Sequence, residues 1–252
     1  MAPQQIVLIT GASRGLGRSA ARHLARAGVG VIGTYQSNRA EAEAMVAEVT
    51  ASGVPAVALQ LDVADASTFD AFTAAVTEAL NGWDVEHLHA VVHFAGYGVH
   101  APYTETSAQQ LEQMLRVHVS APFLLTQALL PMMTTGGRIL NVSSGLARFT
   151  GPGYAAYAAA KGAVEVLTRY QAAELGGRGI RVNTLVPGAI ATDFGGGVVR
   201  DDADVNRAVA GAIALGRVGE PDDIGAAVPA LLSDGLGWAT GTRIELSGGQ
   251  SL

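Results

Sequence analysis

The chain predicts an α/β fold, a doubly wound parallel sheet of about seven strands with helices on both faces. Three observations carry that expectation. Short β-branched or aliphatic runs alternate with Ala-rich stretches of roughly ten or more residues, as successive βαβ units do. Several runs lack polar alternation, the pattern of strands covered by helices on both faces. A length of 252 residues without a Pro- or Ser-rich linker suits a single domain with a sizeable core.

The first strand is expected at Ile6-Thr10, followed at once by a glycine-rich turn and a helix near Gly17-Ala27. Strands Gly30-Tyr35 and Ala56-Leu61 alternate with helices near Arg39-Ser52 and Ala66-Leu80. Then come strand Ala90-Phe94, one long helix over Ala108-Met133, strand Arg138-Ser143 and a helix from Tyr154 to Leu175. Strand Arg181-Val186, a helix over Asp222-Leu232 and strand Arg243-Leu246 complete the sheet. Two interruptions stand out. Residues Thr192 to Arg217 are rich in Ala, Gly and Asp with little apolar periodicity, which suits a mobile segment or short helices and makes them a candidate substrate lid. Pro122 lies inside the long helix, so a kink is expected, with the carbonyl of His118, four residues earlier, left without its helical donor.

Composition narrows the function classes. Apolar residues make up 49 % and charged residues 15 %, which is globular rather than disordered. The net charge of -6, from 16 basic and 22 acidic residues without long blocks of one sign, leaves no footprint for nucleic acid. With no cysteine, disulfides, thiolate catalysis and cysteine metal sites are excluded. No signal peptide fits before the first strand and no apolar run approaches the ~20 residues of a membrane span, so a soluble cytoplasmic protein is expected. The six histidines include His87 and His89 but no helical His-x-x-x-His with a nearby carboxylate, which disfavours a metallohydrolase; no metal is expected.

The turn Thr10-Gly11-Ala12-Ser13-Arg14-Gly15-Leu16-Gly17 joins the first strand to the first helix. Glycines there let the backbone approach a pyrophosphate, and the helix N-terminus offers free N–H groups and partial positive charge, the logic of a Rossmann-type nucleotide site. A second pattern lies downstream. Tyr157 and Lys161 stand four apart on one predicted helix, so their side chains share a face. A nearby ammonium is expected to lower the phenol's pKa, letting Tyr157 exchange a proton with a carbonyl or alcohol oxygen. Ser144, at the carboxyl end of the fifth strand, can donate to that same oxygen while accepting from Tyr157. Tyr154 reads as substrate lining or packing, and Ser143 as pointing to the opposite face.

Taken with Val186-Pro187-Gly188 after the sixth strand, T-G-x-x-x-G-x-G, Ser144, Tyr157 and Lys161 resemble the signature set of short-chain dehydrogenases/reductases, over nearly the whole chain from Ile6 to Gly249. That resemblance implies an oxidoreductase moving hydride between a nicotinamide and a ketone or secondary alcohol, with Lys161 also bonding the nicotinamide ribose. It assigns cofactor contacts to Gly11, Ser13, Arg14, Gly15, Leu16, Gly17, the adenine pair Asp62 and Val63, Ala95 and Gly96, and Pro187, Gly188, Ile190 and Thr192. Asp62 reads equally well as a helix N-cap, and Thr192 as a cap of the segment after it. NADP(H) is favoured over NAD(H), because Tyr35 stands where NAD-preferring relatives carry a carboxylate, and Arg14, Ser37, Asn38 and Arg39 can meet a 2′-phosphate. Alternatively Arg39 is a solvated residue at a helix start.

The chain departs from the family pattern in three places. His93-Phe94-Ala95-Gly96 replaces Asn-Asn-Ala-Gly, losing side-chain bonds near the adenosine, and Leu246-Ser247-Gly248-Gly249 replaces Val-Asp-Gly-Gly. His118 stands where many members place a fourth catalytic asparagine. In the family that residue's backbone carbonyl holds a water leading to the lysine, so activity is expected to survive, with His118 neutral if it lies near Lys161. Helix packing is its plainer role.

Three-ketoacyl-carrier-protein reductases are the nearest broad resemblance, through the block from Ser144 to Lys161. A carrier-bound substrate would need basic surface, and only Arg138 and Arg178 offer it. Small ketones, hydroxysteroids and sugars stay open, as do an NAD-dependent alcohol dehydrogenase and a non-catalytic dinucleotide sensor or scaffold. The substrate pocket is partly apolar, with Tyr97, Leu146, Phe149 and Tyr154 as candidate lining. The resemblance also implies a homotetramer built from the helices over Ala108-Met133 and Tyr154-Leu175; the alanines at 155, 156, 158, 159, 160 and 163 would allow such contact or pack inside the monomer.

Overall fold

The computed structural model describes residues 5–252. Its seven strands form one parallel sheet in the order β3-β2-β1-β4-β5-β6-β7. They are β1 (Ile6–Thr10), β2 (Gly30–Tyr35), β3 (Ala56–Gln60), β4 (Leu88–His93), β5 (Met133–Val142), β6 (Arg181–Pro187) and β7 (Arg243–Leu246). Helices α1 (Gly15–Arg26), α2 (Arg39–Thr50) and α3 (Phe69–Gly82) connect the first strands.

Strand side chains alternate between two cores. Val7 and Ile9 of β1 join Val31, Leu140 and Leu185 beneath α1 and α2, whose Ala20, Leu24, Met45 and Val49 are buried. Ile6 and Leu8 face the other way, to Ile32, Val91 and Ile139, and meet Phe69, Phe72, Val76 and Leu80 of α3. The two-residue period of a strand feeds both layers, which is why these runs are aliphatic throughout. Burying each such Ile or Leu contributes about 1.5–3 kcal/mol. Chain order reverses between β1 and β4, and an open sheet leaves a crevice at its carboxyl edge there.

The long helix expected over 108–133 is not continuous. It consists of α4 (Ala108–Leu115), a π turn over Arg116–Ser120, α5 (Ala121–Leu129) and a short 3-10 turn, and β5 begins at Met133 rather than at Arg138. The Ala121 N–H reaches the Arg116 carbonyl, five residues back. In that wide register Pro122's missing donor falls opposite Val117, one residue earlier than a regular helix predicts for His118. Ser107 opens α4 with a capping box to Gln110.

Helix α6 (Ala155–Leu175) follows β5, and its Ala156 and Ala160 pack inside the monomer with Met114 of α4. The segment after β6 holds short helices α7 (Val198–Asp201) and α8 (Ala203–Ala210). The single helix expected over 222–232 divides into α9 (Pro221–Gly225) and α10 (Val228–Leu232), with Pro at the start of each. Among the described residues no helix is long and apolar enough to cross a membrane.

Candidate active site

The glycine turn is built for close approach. Gly11 has φ +69°, and a Cβ there would stand 2.8 Å from the Ala95 Cα. A Cβ on Gly17 would meet the Gly11 carbonyl oxygen at 2.2 Å, so α1 sits directly on the turn. Thr34 and Thr10 hydroxyls accept from the N–H groups of Gly11 and Ala95, both at 3.1 Å, locking the turn to β2 and β4. No side chain caps α1 and its first turn has no acidic residue, so its N-terminus keeps donors and positive potential for an anion. A narrow backbone cradle at a helix N-terminus on the sheet's carboxyl edge fits a dinucleotide pyrophosphate.

Around it, the other expected cofactor residues divide. Tyr35 ends β2 half-buried, and Ser37 and Asn38 follow it on the surface. Asn38 caps α2 by accepting from the Glu41 N–H, and the Arg39 guanidinium bonds Glu43 at 2.7 Å, as a residue at a helix start does. Asp62 accepts from the Ala64 N–H at 2.9 Å; the helical cap is Asp65 instead, so an N-cap role for Asp62 does not hold. Val63 and Ala95 line a small cavity of about 10 Å³ with Thr10 and His93. His93 does not merely lose the family asparagine's bonds. Its buried ring pairs with the Thr126 hydroxyl at 3.0 Å, and burial lowers its pKa to about 4. Pro187 ends β6, Gly188 presses on Ser247, and Ile190 bridges to Gly219. Thr192 accepts from the Phe194 N–H at 3.2 Å, but the turn that follows starts from Asp193 without a side-chain cap, so a capping role for Thr192 does not hold.

Ser144, Tyr157 and Lys161 converge. The Ser144 side chain bonds the Tyr157 hydroxyl, and the Lys161 Nζ lies 5.5 Å from the Tyr157 ring centroid while donating to the Val142 carbonyl at 2.7 Å. Ser143 turns away, as strand alternation requires, to donate to Glu165 and the Lys161 carbonyl. Burial dominates the electrostatics. Desolvation pushes the Tyr157 phenol up, against the Ser144 bond, which favours the phenolate. Desolvation also brings Lys161 down to about 7. The expectation that the ammonium lowers the phenol therefore fails here: both groups are buried, and Lys161 is tied to a carbonyl. The Tyr157 phenol is therefore protonated at neutral pH.

His118 joins this cluster. Its ring stands edge-on to Tyr157 at 5.3 Å, and a Cβ on Gly96 would run into its Cε1. The Nε2–H donates to the Tyr97 carbonyl at 2.8 Å, a tautomer required because a carbonyl can only accept, and Nδ1 is left buried without a partner. Burial first, then the Lys161 charge, lower its pKa to about 3, so the imidazole is neutral.

The sequence marks Thr192 as a cofactor contact and places residues 193 and 194 only within the candidate lid, yet residues 192–194 together connect the two halves of the site. A Cβ on Gly15 would touch the Thr192 methyl at 3.9 Å, Asp193 pairs with Arg14 at 3.6 Å and with Arg200 at 2.5 Å, and the Phe194 ring lies 5.4 Å from that of Tyr157. No motif marks Asp193 or Phe194; only their position just after Thr192 hints at the role. Among the described residues no cluster of His, Asp or Glu is arranged to hold a metal ion.

A parallel sheet in this strand order, with a glycine cradle at its switch point and a Ser–Tyr–Lys cluster beside it, defines a Rossmann-type oxidoreductase. Residues 11–251 match the family model described as Enoyl-(Acyl carrier protein) reductase. The dehydrogenase LinX of Sphingobium indicum, described as acting on 2,5-dichloro-2,5-cyclohexadiene-1,4-diol, is 33 % identical over 98 % of this chain and 96 % of its own. Among solved structures, the promiscuous reductase LugOII, which catalyses keto-reduction at C1 in lugdunomycin biosynthesis, superposes with a TM-score of 0.93 at 35 % identity, covering 98 % of this chain and 97 % of its own. The angucycline C-6 ketoreductase LanV with bound NADP gives 0.92 at 30 %, covering 98 % and 95 %. The chain belongs to the short-chain dehydrogenase/reductase family.

Proposed function

We propose that this enzyme is an NADP(H)-dependent ketoreductase in which Tyr157 delivers the proton. The observation that carries the reading is the buried Tyr157 hydroxyl, bonded to Ser144, one helical turn from Lys161 and joined to the glycine cradle by residues 192–194. The cradle Gly11, Ser13, Arg14, Gly15, Leu16 and Gly17 holds the pyrophosphate. Lys161 bonds the nicotinamide ribose, and Asp62, Val63, Ala95, Gly96, Pro187, Gly188, Ile190 and Thr192 line the rest of the cofactor's path. The absence of a carboxylate at Tyr35, with Ser37, Asn38 and Arg39 just after it in the chain and Arg14 in the glycine turn, favours the 2′-phosphate, as does the NADP bound by LanV.

The bound nicotinamide supplies the hydride that adds to the carbonyl carbon. Ser144 orients the carbonyl oxygen, and Tyr157 gives it the proton that completes the alcohol. The phenolate left behind is stabilised by the Ser144 hydroxyl and by Lys161 in its protonated form. His118, neutral throughout, positions the Tyr157 ring and the Tyr97 loop. The substrate is a small-molecule ketone, and no carrier protein is invoked: Arg138 is buried on the Gly136 carbonyl and Asp234, and Arg178 is spent on the Leu130 and Met133 carbonyls. Exposed Leu111, Phe123 and Leu124 on α4 and α5, with Val166 and Tyr170 on α6, favour a homotetramer through those helices in the cytoplasm.

Tyr157→Phe tests the reading. Turnover of a ketone panel with NADPH should fall about 10²–10⁴-fold while NADPH affinity is kept. Full turnover in the variant would end Tyr157's role, and a wild-type enzyme that binds the cofactor without reducing any ketone would favour a sensor.

A further inference from the structure

The lid residue Phe194 fills a slot shaped for an aromatic ring. A Cβ on Gly98 would stand 2.5 Å from the Phe194 Cζ and within 3.3 Å of two further ring atoms, so the ring tip presses on bare backbone. Its other side lies against Tyr157, tilted by 56°. The walls continue the same chemistry: the Tyr154 ring is edge-on to His100 at 4.9 Å and lies 6.4 Å from Tyr157, which His118 meets on another side. Phe194 as a residue is nonetheless 40 % exposed, so it is not a core residue. Directly after it come Gly195, Gly196 and Gly197, with φ of 64°, 78° and 80°. Three left-handed residues in succession are inexpensive only for glycine, and they give Phe194 a pivot beside the catalytic tyrosine.

We propose that Phe194 is the specificity-determining residue of the site, and that its ring in the free enzyme occupies the slot where a flat aryl ring of the substrate stacks. The substrate class is thus a ketone conjugated to, or fused with, an aromatic ring. This rests on the ketoreductase reading of the site. Phe194 turns on the three glycines to cover the incoming ring, whose carbonyl then meets Ser144 and Tyr157. Ring faces and edges of Tyr154, Tyr157 and Phe194 supply offset or edge contacts, which favour aryl over alkyl groups of equal area.

The test compares the wild-type enzyme with Phe194→Ala and Phe194→Tyr. Binding of naphthol and of cyclohexanol is measured by calorimetry with NADP⁺ present, and reduction of tetralone and cyclohexanone is followed through NADPH consumption. In Phe194→Ala the dissociation constant for naphthol and the KM for tetralone should rise about tenfold, with cyclohexanol and cyclohexanone changed less than about threefold. Phe194→Tyr should restore both aryl values. Equal changes for aryl and alkyl ligands, or no change, would overturn the proposal, as would a wild-type enzyme that does not bind naphthol. Naphthol binding that depends on Phe194 without reduction of either ketone would uphold the slot and overturn the ketoreductase reading.

Discussion

Lys161 is buried and donates to the Val142 carbonyl, with no carboxylate among the described residues paired to its charge, an arrangement that costs stability. Its pKa falls from 10.5 to about 7 because burial disfavours the ammonium. A depressed lysine means that the unfolded chain binds more protons between about pH 7 and 10.5, so this residue makes stability rise with pH through that window. Below it the buried charge carries its full cost. Lys161→Met should therefore raise the melting temperature at pH 6–7, by roughly 2–4 °C for a net gain of about 1 kcal/mol after the lost bond to Val142. The advantage should shrink towards pH 10, and turnover should drop about 100-fold or more. In the wild-type enzyme kcat/KM for reduction should decline above about pH 7, as Lys161 loses the proton that steadies the phenolate. A melting temperature lowered equally at all pH values would show that the ammonium is not the strained group.

At the scale of the element, the π turn over Arg116–Ser120 places His118 beneath Tyr157. It explains which features were legible in the sequence. Strands β1, β2 and β7 match their expected bounds because aliphatic runs between glycines and turns leave one solution. Ser144, Tyr157 and Lys161 were readable because a strand end and a four-residue helical spacing fix their directions without distant contacts. The break at Pro122 was readable too, but its form was not, since widening by one residue depends on how α4 packs on α6 while α5 packs on α3. The sign of the Tyr157 shift was hidden for the same reason: burial is a property of the assembled fold. Phe194 went unmarked because its role comes from a slot made by Gly98 and Tyr157, far away in the chain. His118→Asn probes the element directly. It removes a ring packed on Gly96 and shortens the reach to the Tyr97 carbonyl, so stability should drop by about 1–2 kcal/mol in thermal unfolding. Turnover should be preserved or raised, because the proposed imidazole role is positioning alone; complete loss in a folded variant would show that the ring takes part in proton transfer.

Across the whole molecule, the last residues fasten the 192–217 segment, the proposed lid, to the end of β6. Gln250 bridges Ile213, the Ser251 N–H donates to Ala212, and the N–H groups of Ala214 and Leu215 donate to Gly249 and Gly248, so the C-terminal strand-like tail holds the end of the 192–217 segment. The Gln250 side chain also accepts from the Ala189 N–H at 2.9 Å, just after β6. Arg148, on the loop after Ser144, anchors that tail by donating to the carbonyls of Gln250 and Ser251 at 2.6 and 2.9 Å. The same guanidinium pairs with Glu245, which Arg243 links through Glu165 to Ser143. Arg148 holds the Glu245 carboxyl down near 2, so the chain of charges persists through ordinary pH. Arg148 is solvated, so water screens these bonds and each acts by holding the tail in place more than by adding stability. Arg148→Ala should accordingly raise KM for a ketone about fivefold, change kcat less, and leave NADPH affinity intact, because the glycine cradle lies outside this network. Limited proteolysis should cut within residues 192–217 sooner in the variant. If both the cleavage rate and KM match the wild-type enzyme, the tail does not restrain the lid, and the position of Phe194 over Tyr157 must be set by the glycine pivot and the Asp193 pairs alone.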